Sequence, residues 1–283
     1  MVMPRLIVRE RHAFRFREAD LKPVRTWQDV SGATCAYGYV GRGANWMRWP
    51  GLVTFHVAAD GTIDAFPERP VEPSTIVDLC RRTVEPIVLQ SLGWETLHAS
   101  AVCTPPGVFA ICGERQAGKS TLAFALSRRG YRQYADDMLV LQVAPDGTRA
   151  LDRPFGVRLR SEAASYFGFT PDGRHFQDVT EIDSRVDSAS TQPLAAVFVL
   201  RRTETREPAV EPLRPAGALA AVLPHTYCFN PDENGRKRVL TNYLQITTTV
   251  PFYEVSFSTG LDRIDSVLNL VESVMNQPQV VNG

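Results

Sequence analysis

Gly113-Glu-Arg-Gln-Ala-Gly-Lys-Ser120 fits the phosphate-loop pattern G-x-x-x-x-G-K-[ST]. The apolar run 107–112 before it predicts a buried strand, and 121–129 after it predicts a helix that ends at Gly130. A strand, a glycine loop and a helix in this order aim backbone N–H groups and a helix N-terminus at a polyphosphate. The alternative, a plain glycine turn, leaves Lys119 without a role. The stretch therefore predicts an α/β fold organised around a phosphate loop.

Each residue type in the loop suits the binding of ATP with Mg²⁺. Gly113 and Gly118 let the backbone turn and approach oxygen atoms closely. Lys119 would reach the β- and γ-phosphates, and the Ser120 hydroxyl would ligate Mg²⁺. The predicted nucleotide-binding residues are Gly113, Glu114, Arg115, Gln116, Ala117, Gly118, Lys119, Ser120 and Thr121.

Composition excludes several classes of protein. The 283 residues are 44% hydrophobic and 22% charged, as in an ordinary soluble globular protein, and the net charge is zero. No overall field therefore draws the chain to nucleic acid or to an anionic membrane. No apolar run approaches the roughly 18 residues of a membrane span. The N-terminus lacks a signal-peptide core, and the five cysteines are scattered, so we expect a cytoplasmic protein with reduced thiols and no metal cluster.

The pattern of short apolar runs predicts a β-rich N-terminal region over 1–70, a kinase-like domain over 71–276 and a tail over 277–283. In the N-terminal region the runs 6–8, 13–16, 35–40 and 52–57 are strand-like, and Asp60-Gly61 is a hairpin signal. Trp46 and Trp49 are close in sequence. They could form a recognition surface for an acceptor, or they could simply pack in the core.

The remaining elements follow the same periodicities. A helix is expected over 74–92 with a kink at Pro86, and strands over 95–102 and 107–112 form a hairpin. After the loop, 168–192 has weak patterning and is predicted to be a mobile segment or lid, and 230–238 a basic loop. The other predicted strands are 140–141, 194–200 and 252–257, and the other predicted helices are 161–167, 215–223, 240–246 and 261–275.

Several residues near the loop have the chemistry of phosphoryl transfer, which needs cation clamps, a carboxylate for Mg²⁺ and a group that deprotonates the attacking hydroxyl. Asp136 and Asp137 stand at the entrance of a predicted strand and could divide the last two tasks. Arg158 and Arg160 alternate on one strand, so both could hold the acceptor or the transferred phosphate. His98 alone is more typical of a core residue, and the aspartates and arginines could instead be solvated.

His98 with Ala99-Ser100, the phosphate loop, and Tyr134-Ala-Asp136-Asp137 together resemble the kinase domain of HPr kinase/phosphorylase and its relatives, including lasso-peptide precursor kinases. The resemblance covers about 75–260 and is strongest over 97–141. It implies a fold like that of phosphoenolpyruvate carboxykinase. It also implies that Asp136 is the general base toward a serine, that Ser120 and Asp137 lie at Mg²⁺, that Lys119 binds the phosphates, and that His98 lies close to the γ-phosphate.

The chain departs from the HPr enzymes in two places. Arg115-Gln116 replaces the usual Ser-Gly of their loop, and Arg153-Pro-Phe-Gly156 occupies the region of their glycine-rich signature. The expected acceptor is therefore a serine of another peptide or small protein, such as a ribosomal precursor peptide, rather than HPr. Because HPr kinases are hexamers, the resemblance also makes a homo-oligomer plausible. A small-molecule kinase and a non-catalytic nucleotide sensor are the alternatives.

Overall fold

The computed structural model describes residues 4–9, 22–29, 31–41, 44–153, 155–170, 176–182, 190–204, 207–227 and 233–277, with backbone only for 176–182. The predicted strand at 13–16 and the tail from 278 onward lie outside these residues. The chain divides into two compact units. The first comprises the described residues of Met1–Trp94 with Tyr227–Lys237, and the second those of Glu95–Thr226 with Arg238–Gly283.

The first unit contains a six-stranded sheet in the order β1-β6-β5-β4-β3-β2, antiparallel except where β1 runs parallel to β6. Its strands are β1 (Arg5–Val8), β2 (Arg25–Gln28), β3 (Thr34–Gly41), β4 (Ala44–Trp49), β5 (Val53–Ala58) and β6 (Thr62–Pro67). The predicted hairpin at Asp60-Gly61 is confirmed, since these residues join β5 to β6 and Gly61 has φ +87°.

A helical segment covers the apolar face of this sheet. It consists of α1 (Pro73–Leu79), a π-helical turn (Cys80–Val84) and α2 (Glu85–Ser91). Ile76 and Val88 of the segment pack with Met47, Phe55 and Ile63 of the sheet. The predicted kink at Pro86 takes the form of the π turn, and Pro86 itself lies in the first turn of α2. Because this packing ties residues 71–94 to the N-terminal sheet, they lie in the first unit.

The two tryptophans of β4 have different surroundings because they lie three residues apart, which places them on opposite faces of the strand. The Trp49 ring stacks on Trp27 with centroids 5.9 Å apart and meets Phe55 edge-on, so Trp49 is a core residue. The Trp46 ring lies 4.2 Å from the His56 ring on the other face. Of the predicted pair, only Trp46 is a candidate for recognition.

The second unit is built on a mixed sheet. The strands of this sheet are β7 (Glu95–Leu97), β8 (Ala99–Thr104), β9 (Gly107–Gly113), β10 (Arg132–Ala135), β11 (Leu139–Ala144), β12 (Gly147–Leu151), β15 (Thr191–Arg202), β16 (Ala209–Pro212) and β17 (Phe252–Phe257). A separate two-stranded sheet is formed by β13 (Phe155–Arg160) and β14 (Phe176–Ile182). Strands β9, β15 and β17 are parallel neighbours with β15 in the middle. β8 and β10 continue the sheet beyond β9, while β12, β11 and β7 extend it from the start of β15.

Helices pack on both faces of this sheet. They bury β9 completely, and its successive side chains alternate between two cores. Phe109 and Ile111 face the core formed with α3 and α7, and Ala110 and Cys112 face the one formed with α5 and α6. The helices are α3 (Lys119–Arg128), α4 (Ser161–Tyr166), α5 (Pro215–Val222), α6 (Glu233–Thr249) and α7 (Ile264–Met275). The prediction of an α/β fold is confirmed.

The structure corrects three element predictions. The predicted strand 95–102 is interrupted at His98, so β7 and β8 pair with different strands. The segment 168–192, predicted to be irregular, contains β14, which pairs with β13. The predicted basic loop 230–238 is helical from Glu233, where α6 begins, and its first three residues lie outside the described part of the chain. Both β14 and the start of α6 are rich in polar residues, so neither shows a clear hydrophobic periodicity in the sequence.

Among the described residues, no helix has both the length and the apolar character needed to cross a membrane. The four cysteines of this part of the chain are free thiols, as expected: Cys35, Cys80, Cys103 and Cys112.

Candidate active site

The predicted phosphate loop joins β9 to α3. Gly113 has φ +148°, and a Cβ there would lie 2.8 Å from the backbone oxygen of Leu200, so this position needs glycine. Gly118 has φ +104° and caps the N-terminus of α3. Between them Gln116 has φ +70°, an uncommon conformation for a side-chain-bearing residue. These left-handed turns at the start of a ten-residue helix give the curved backbone that the sequence pattern predicts.

Lys119 lies within the loop. Its Nζ donates hydrogen bonds to the carbonyl oxygens of Gly113, at 3.0 Å, and of Glu114, at 3.1 Å. Burial lowers the pKa of Lys119, while the nearby carboxyls of Asp136 and Asp137 act in the opposite direction. The amine thus spans the hollow of the loop, where it can exchange these two carbonyl partners for phosphate oxygens.

Asp136 is buried beside the loop and held by two donors. Its Oδ1 accepts a hydrogen bond of 2.6 Å from Ser100 Oγ, and its Oδ2 accepts one of 3.3 Å from the backbone N–H of Arg158. The Ser120 side chain lies near it. Burial raises the pKa of Asp136, and the hydroxyls of Ser100 and Ser120 partly offset that effect. The carboxylate is therefore fixed next to the loop hydroxyl and turned away from solvent.

Asp137 is much more accessible, with 40% of its side chain exposed. It has φ +69°, a left-handed conformation that turns the chain between β10 and β11. A left-handed residue departs from the alternation of a strand, so sequence spacing does not predict which of the two aspartates is exposed.

His98 occupies the break between β7 and β8 and faces Asp137. Its Nδ1 lies 2.9 Å from the Asp137 carbonyl oxygen and 3.7 Å from Asp137 Oδ1. Because a carbonyl oxygen only accepts, this contact places a proton on Nδ1 and leaves Nε2 as the basic nitrogen. Burial lowers the pKa of His98, and the charge of Lys119 lowers it further. The neutral ring is therefore favoured beside the loop.

His225 is a neighbour that the sequence did not reveal. Its carbonyl oxygen accepts a 2.8 Å hydrogen bond from the backbone N–H of His98, and Thr226 pairs with Leu97. Burial lowers the pKa of His225, and the charges of Lys119 and His98 lower it too. No local motif surrounds this histidine, which follows α5 in a short 3₁₀ turn. Only the long-range bridge to β7 brings it to the site.

The two predicted substrate arginines are on β13. Arg158 is bound through its backbone N–H to Asp136, which places β13 against the site. Arg160 ends the strand and is exposed. An irregularity in the pairing with β14 falls between Val157 and Arg158. The structure thus places the backbone of Arg158 at the Asp136 carboxylate. Arg160 lies two residues farther along the same strand.

The residues present fit a Mg·nucleotide. Ser120 and Asp136 bring a hydroxyl and a carboxylate near each other at the start of α3. No cluster of three or more His, Cys, Asp or Glu side chains able to hold a metal occurs among the described residues. This small donor set is typical of Mg²⁺ sites that take one or two protein oxygens and complete the shell with phosphate and water.

Comparisons with known proteins give little further information. No protein-family model matches the chain, and no curated protein matches it. Among solved structures, the Hpr(Ser) kinase/phosphatase from Coxiella burnetii is similar with a TM-score of 0.36 and 16% sequence identity, over 64% of this chain and 90% of that chain. At this TM-score the likeness is weak and carries no argument about the fold or the activity of this chain.

Proposed function

We propose that the chain is an ATP-dependent kinase that transfers the γ-phosphate to a hydroxyl, and that the acceptor is a serine of a peptide or small protein. One observation carries the proposal: the buried Asp136 and the accessible Asp137 both lie beside the phosphate loop, close to Lys119, and His98 contacts Asp137. The loop is thus accompanied by two adjacent carboxylates. The buried one can supply negative charge beside the metal ion, and the accessible one can act as a base.

In this proposal Asp137 is the general base, and the roles expected from sequence are exchanged. A general base must come within hydrogen-bond reach of the hydroxyl proton that it removes. Asp137 has the exposed carboxylate, whereas both oxygens of Asp136 accept hydrogen bonds from the protein. Asp137 would take the proton of the acceptor hydroxyl while that oxygen bonds to the γ-phosphorus and the bond from phosphorus to the leaving ADP oxygen breaks.

Asp136 would serve the metal side of the site. Ser120 would ligate Mg²⁺, with Asp136 fixing the Ser120 hydroxyl and adding negative charge, and the bound ion would neutralise charge on the phosphates. Ser100 would act as a positioning residue, because its hydroxyl holds Asp136 Oδ1 at 2.6 Å. Lys119 would bind the β- and γ-phosphates, whose negative charge would favour protonation of His98 at Nε2, and the protonated Nε2 would donate a hydrogen bond to the transferred phosphate.

In this proposal Arg160 and the first unit bind the acceptor. Arg160 is exposed at the end of β13, which is bound to Asp136 through Arg158, so it could hold an acidic group of the acceptor. On the first unit, the rings of Trp46 and His56, 4.2 Å apart, offer a stacking surface for a docked segment of the acceptor. The phosphoenolpyruvate carboxykinase-like fold and a homo-oligomer belong to the same proposal and rest on the sequence resemblance, and the proposed cytoplasmic location rests on the scattered cysteines.

The test is transfer of radiolabelled γ-phosphate from Mg·ATP to serine-containing peptides encoded beside this chain in its genome. We expect label on the peptide with the wild type and none when the serine of the peptide is replaced by alanine. Lys119→Ala should lose ATP binding by calorimetry and transfer by the label assay, because no solvated amine replaces the buried one. Lys237→Ala, an exposed lysine of α6, is the matched control and should behave as the wild type.

Two outcomes would contradict the proposal in different ways. Equal ATP affinity in the wild type and Lys119→Ala would show that the loop is not a nucleotide site. Tight binding of Mg·ATP by the wild type, with no transfer to peptides or small-molecule alcohols, would make the chain a nucleotide sensor.

A further inference from the structure

A pocket that the sequence analysis did not predict lies beside the phosphate loop, next to Gly118 and Thr121. It has about 440 Å³ of space, part of it open to solvent. Its walls include Phe257, Leu261 and Arg202.

Strand topology explains why the pocket forms there. β9, β15 and β17 are parallel, so their carboxyl ends lie at one edge of the sheet. The register pairs Gly113 with Leu200 and Arg202 with Phe257 at that edge. In open α/β sheets ligands bind outside the carboxyl ends of parallel strands, because the chain leaves each strand there in a loop. The pocket occupies this position beside the first turn of α3.

The chemistry of the walls suits a flat, aromatic ligand that carries negative charge at one end. The guanidinium carbon of Arg202 lies 4.3 Å from the centre of the Phe257 ring, and Arg202 Nη1 donates a 2.8 Å hydrogen bond to the Ser258 carbonyl oxygen. A planar cation is thus fixed over an aromatic ring. Arg263, which pairs with Asp262 at 3.8 Å, adds a second guanidinium to the walls, and no Asp or Glu is among the described lining residues.

We infer that this pocket binds the nucleoside of the nucleotide whose phosphates the loop holds, with the base stacked on the Arg202 guanidinium. The inference rests on the proposed function. Gly118 and Thr121 border both the phosphate loop and the pocket, and they lie at the helix start, where the α-phosphate binds. A nucleoside attached to that phosphate can therefore enter the pocket directly. Bases stack on arginine planes as well as on aromatic rings, which accounts for the planar Arg202.

The test compares Mg·ATP with Mg·tripolyphosphate, which has the phosphates without the nucleoside. Arg202→Ala should bind ATP about tenfold more weakly by calorimetry, the low end of what one stacked base contributes, and should bind tripolyphosphate as the wild type does. Arg202→Lys keeps the charge without the plane and should lose most of the same affinity. Arg201→Ala, an exposed neighbour on β15 that pairs with Glu254 at 3.2 Å, is the matched control.

The outcomes separate this inference from the proposed function. Unchanged ATP affinity in Arg202→Ala would overturn the inference, because Arg202 would then not contact the nucleotide. Equal losses of affinity for ATP and tripolyphosphate would also overturn it, because Arg202 would then bind the phosphates. Wild-type protein that binds tripolyphosphate as tightly as ATP would also overturn it and leave the phosphate loop intact. If the wild type binds neither compound, the proposed function fails together with the inference.

Discussion

The two sides of the phosphate loop differ in construction. The carboxylate cluster, defined as His98, Ser100, Asp136 and Asp137, is polar and comes from residues 98–137. The nucleoside pocket, defined as Arg202, Phe257, Leu261 and Arg263, combines apolar walls with two cations and comes from residues 202–263.

The cluster is fixed atom by atom, whereas the pocket is defined mainly by shape. Asp136 accepts hydrogen bonds through both of its oxygens, and His98 is oriented by the Asp137 carbonyl. Proton transfer needs this precision, because a general base acts only within hydrogen-bond reach. Stacking tolerates a looser geometry, because every base has a π-face. Changes in the cluster should therefore alter the rate of transfer, and changes in the pocket should alter affinity for the nucleotide.

The largest effect is expected at Asp137. Asp137→Asn keeps the size of the side chain but cannot accept a proton at neutral pH, so we expect kcat to fall by at least about 100-fold. Mg·ATP affinity should stay within about twofold of wild type. Asp136→Asn should instead raise the Mg²⁺ concentration needed for half-maximal activity, because the metal side loses a charge. The reverse pattern across the two variants, measured by label transfer at several Mg²⁺ concentrations, would restore the roles expected from sequence.

The next effect concerns the pocket. Phe257→Leu removes the ring under Arg202, and we expect the KM for ATP to rise roughly threefold to tenfold with kcat unchanged, in line with the loss of part of one stacking interaction. Phe252→Leu, at the other end of β17, is the matched control, since Phe252 packs in the opposite core cluster. If Phe257→Leu instead lowers kcat and leaves the KM for ATP constant, the pocket affects the rate of transfer rather than nucleotide affinity, and the contrast with the carboxylate cluster is wrong.

A smaller effect is expected on stability at Asp136. Burial raises the pKa of this carboxyl above its ordinary 3.8, so its contribution to folding is present below that pH and is lost as the pH rises through the raised value. Asp136→Asn avoids burying the charge. We expect its melting temperature at pH 7, without Mg²⁺, to exceed that of wild type by about 2–4 °C, the equivalent of 1 kcal/mol in a domain of this size.

That gain should shrink as the pH falls through the raised pKa of Asp136, where the wild-type carboxyl becomes protonated. Asp146→Asn, in the exposed turn between β11 and β12, should show no such trend with pH. A gain at Asp136 that is the same at every pH would mean that charge burial is not its cause.

The smallest effect is expected at Arg160. Because it is exposed at the end of β13, Arg160→Ala should raise the acceptor's KM by about threefold, as for one solvated ion pair. ATP affinity should not change. Arg149→Ala, an exposed arginine of β12 that hydrogen-bonds Thr191, serves as control. Equal acceptor kinetics in both variants would assign Arg160 to the solvated surface.

The local pattern of the sequence predicted the part of the site that local forces build. The apolar run of β9, the glycines of the loop and the helix former of α3 are contiguous, and their backbone conformations follow from residue type at each position. The pair Asp136-Asp137 was also recognised, since carboxylates at the mouth of a strand stand out in sequence. Their relative exposure was not, because it depends on the φ of +69° at Asp137 and on the burial of Asp136 under β8 and β13.

By itself the sequence determined the phosphate loop, its strand and helix, the α/β class and the types of residue near the loop. Only the tertiary structure decided which of those residues meet. His225 reaches His98 through the bridge between Leu97 and Thr226, and Arg202 reaches Phe257 through the register of β15 with β17. Local conformation is set by neighbouring residues, whereas these contacts depend on strand pairing between distant segments. No short window of sequence contains both partners, so these contacts could not be predicted without the pairing of the strands.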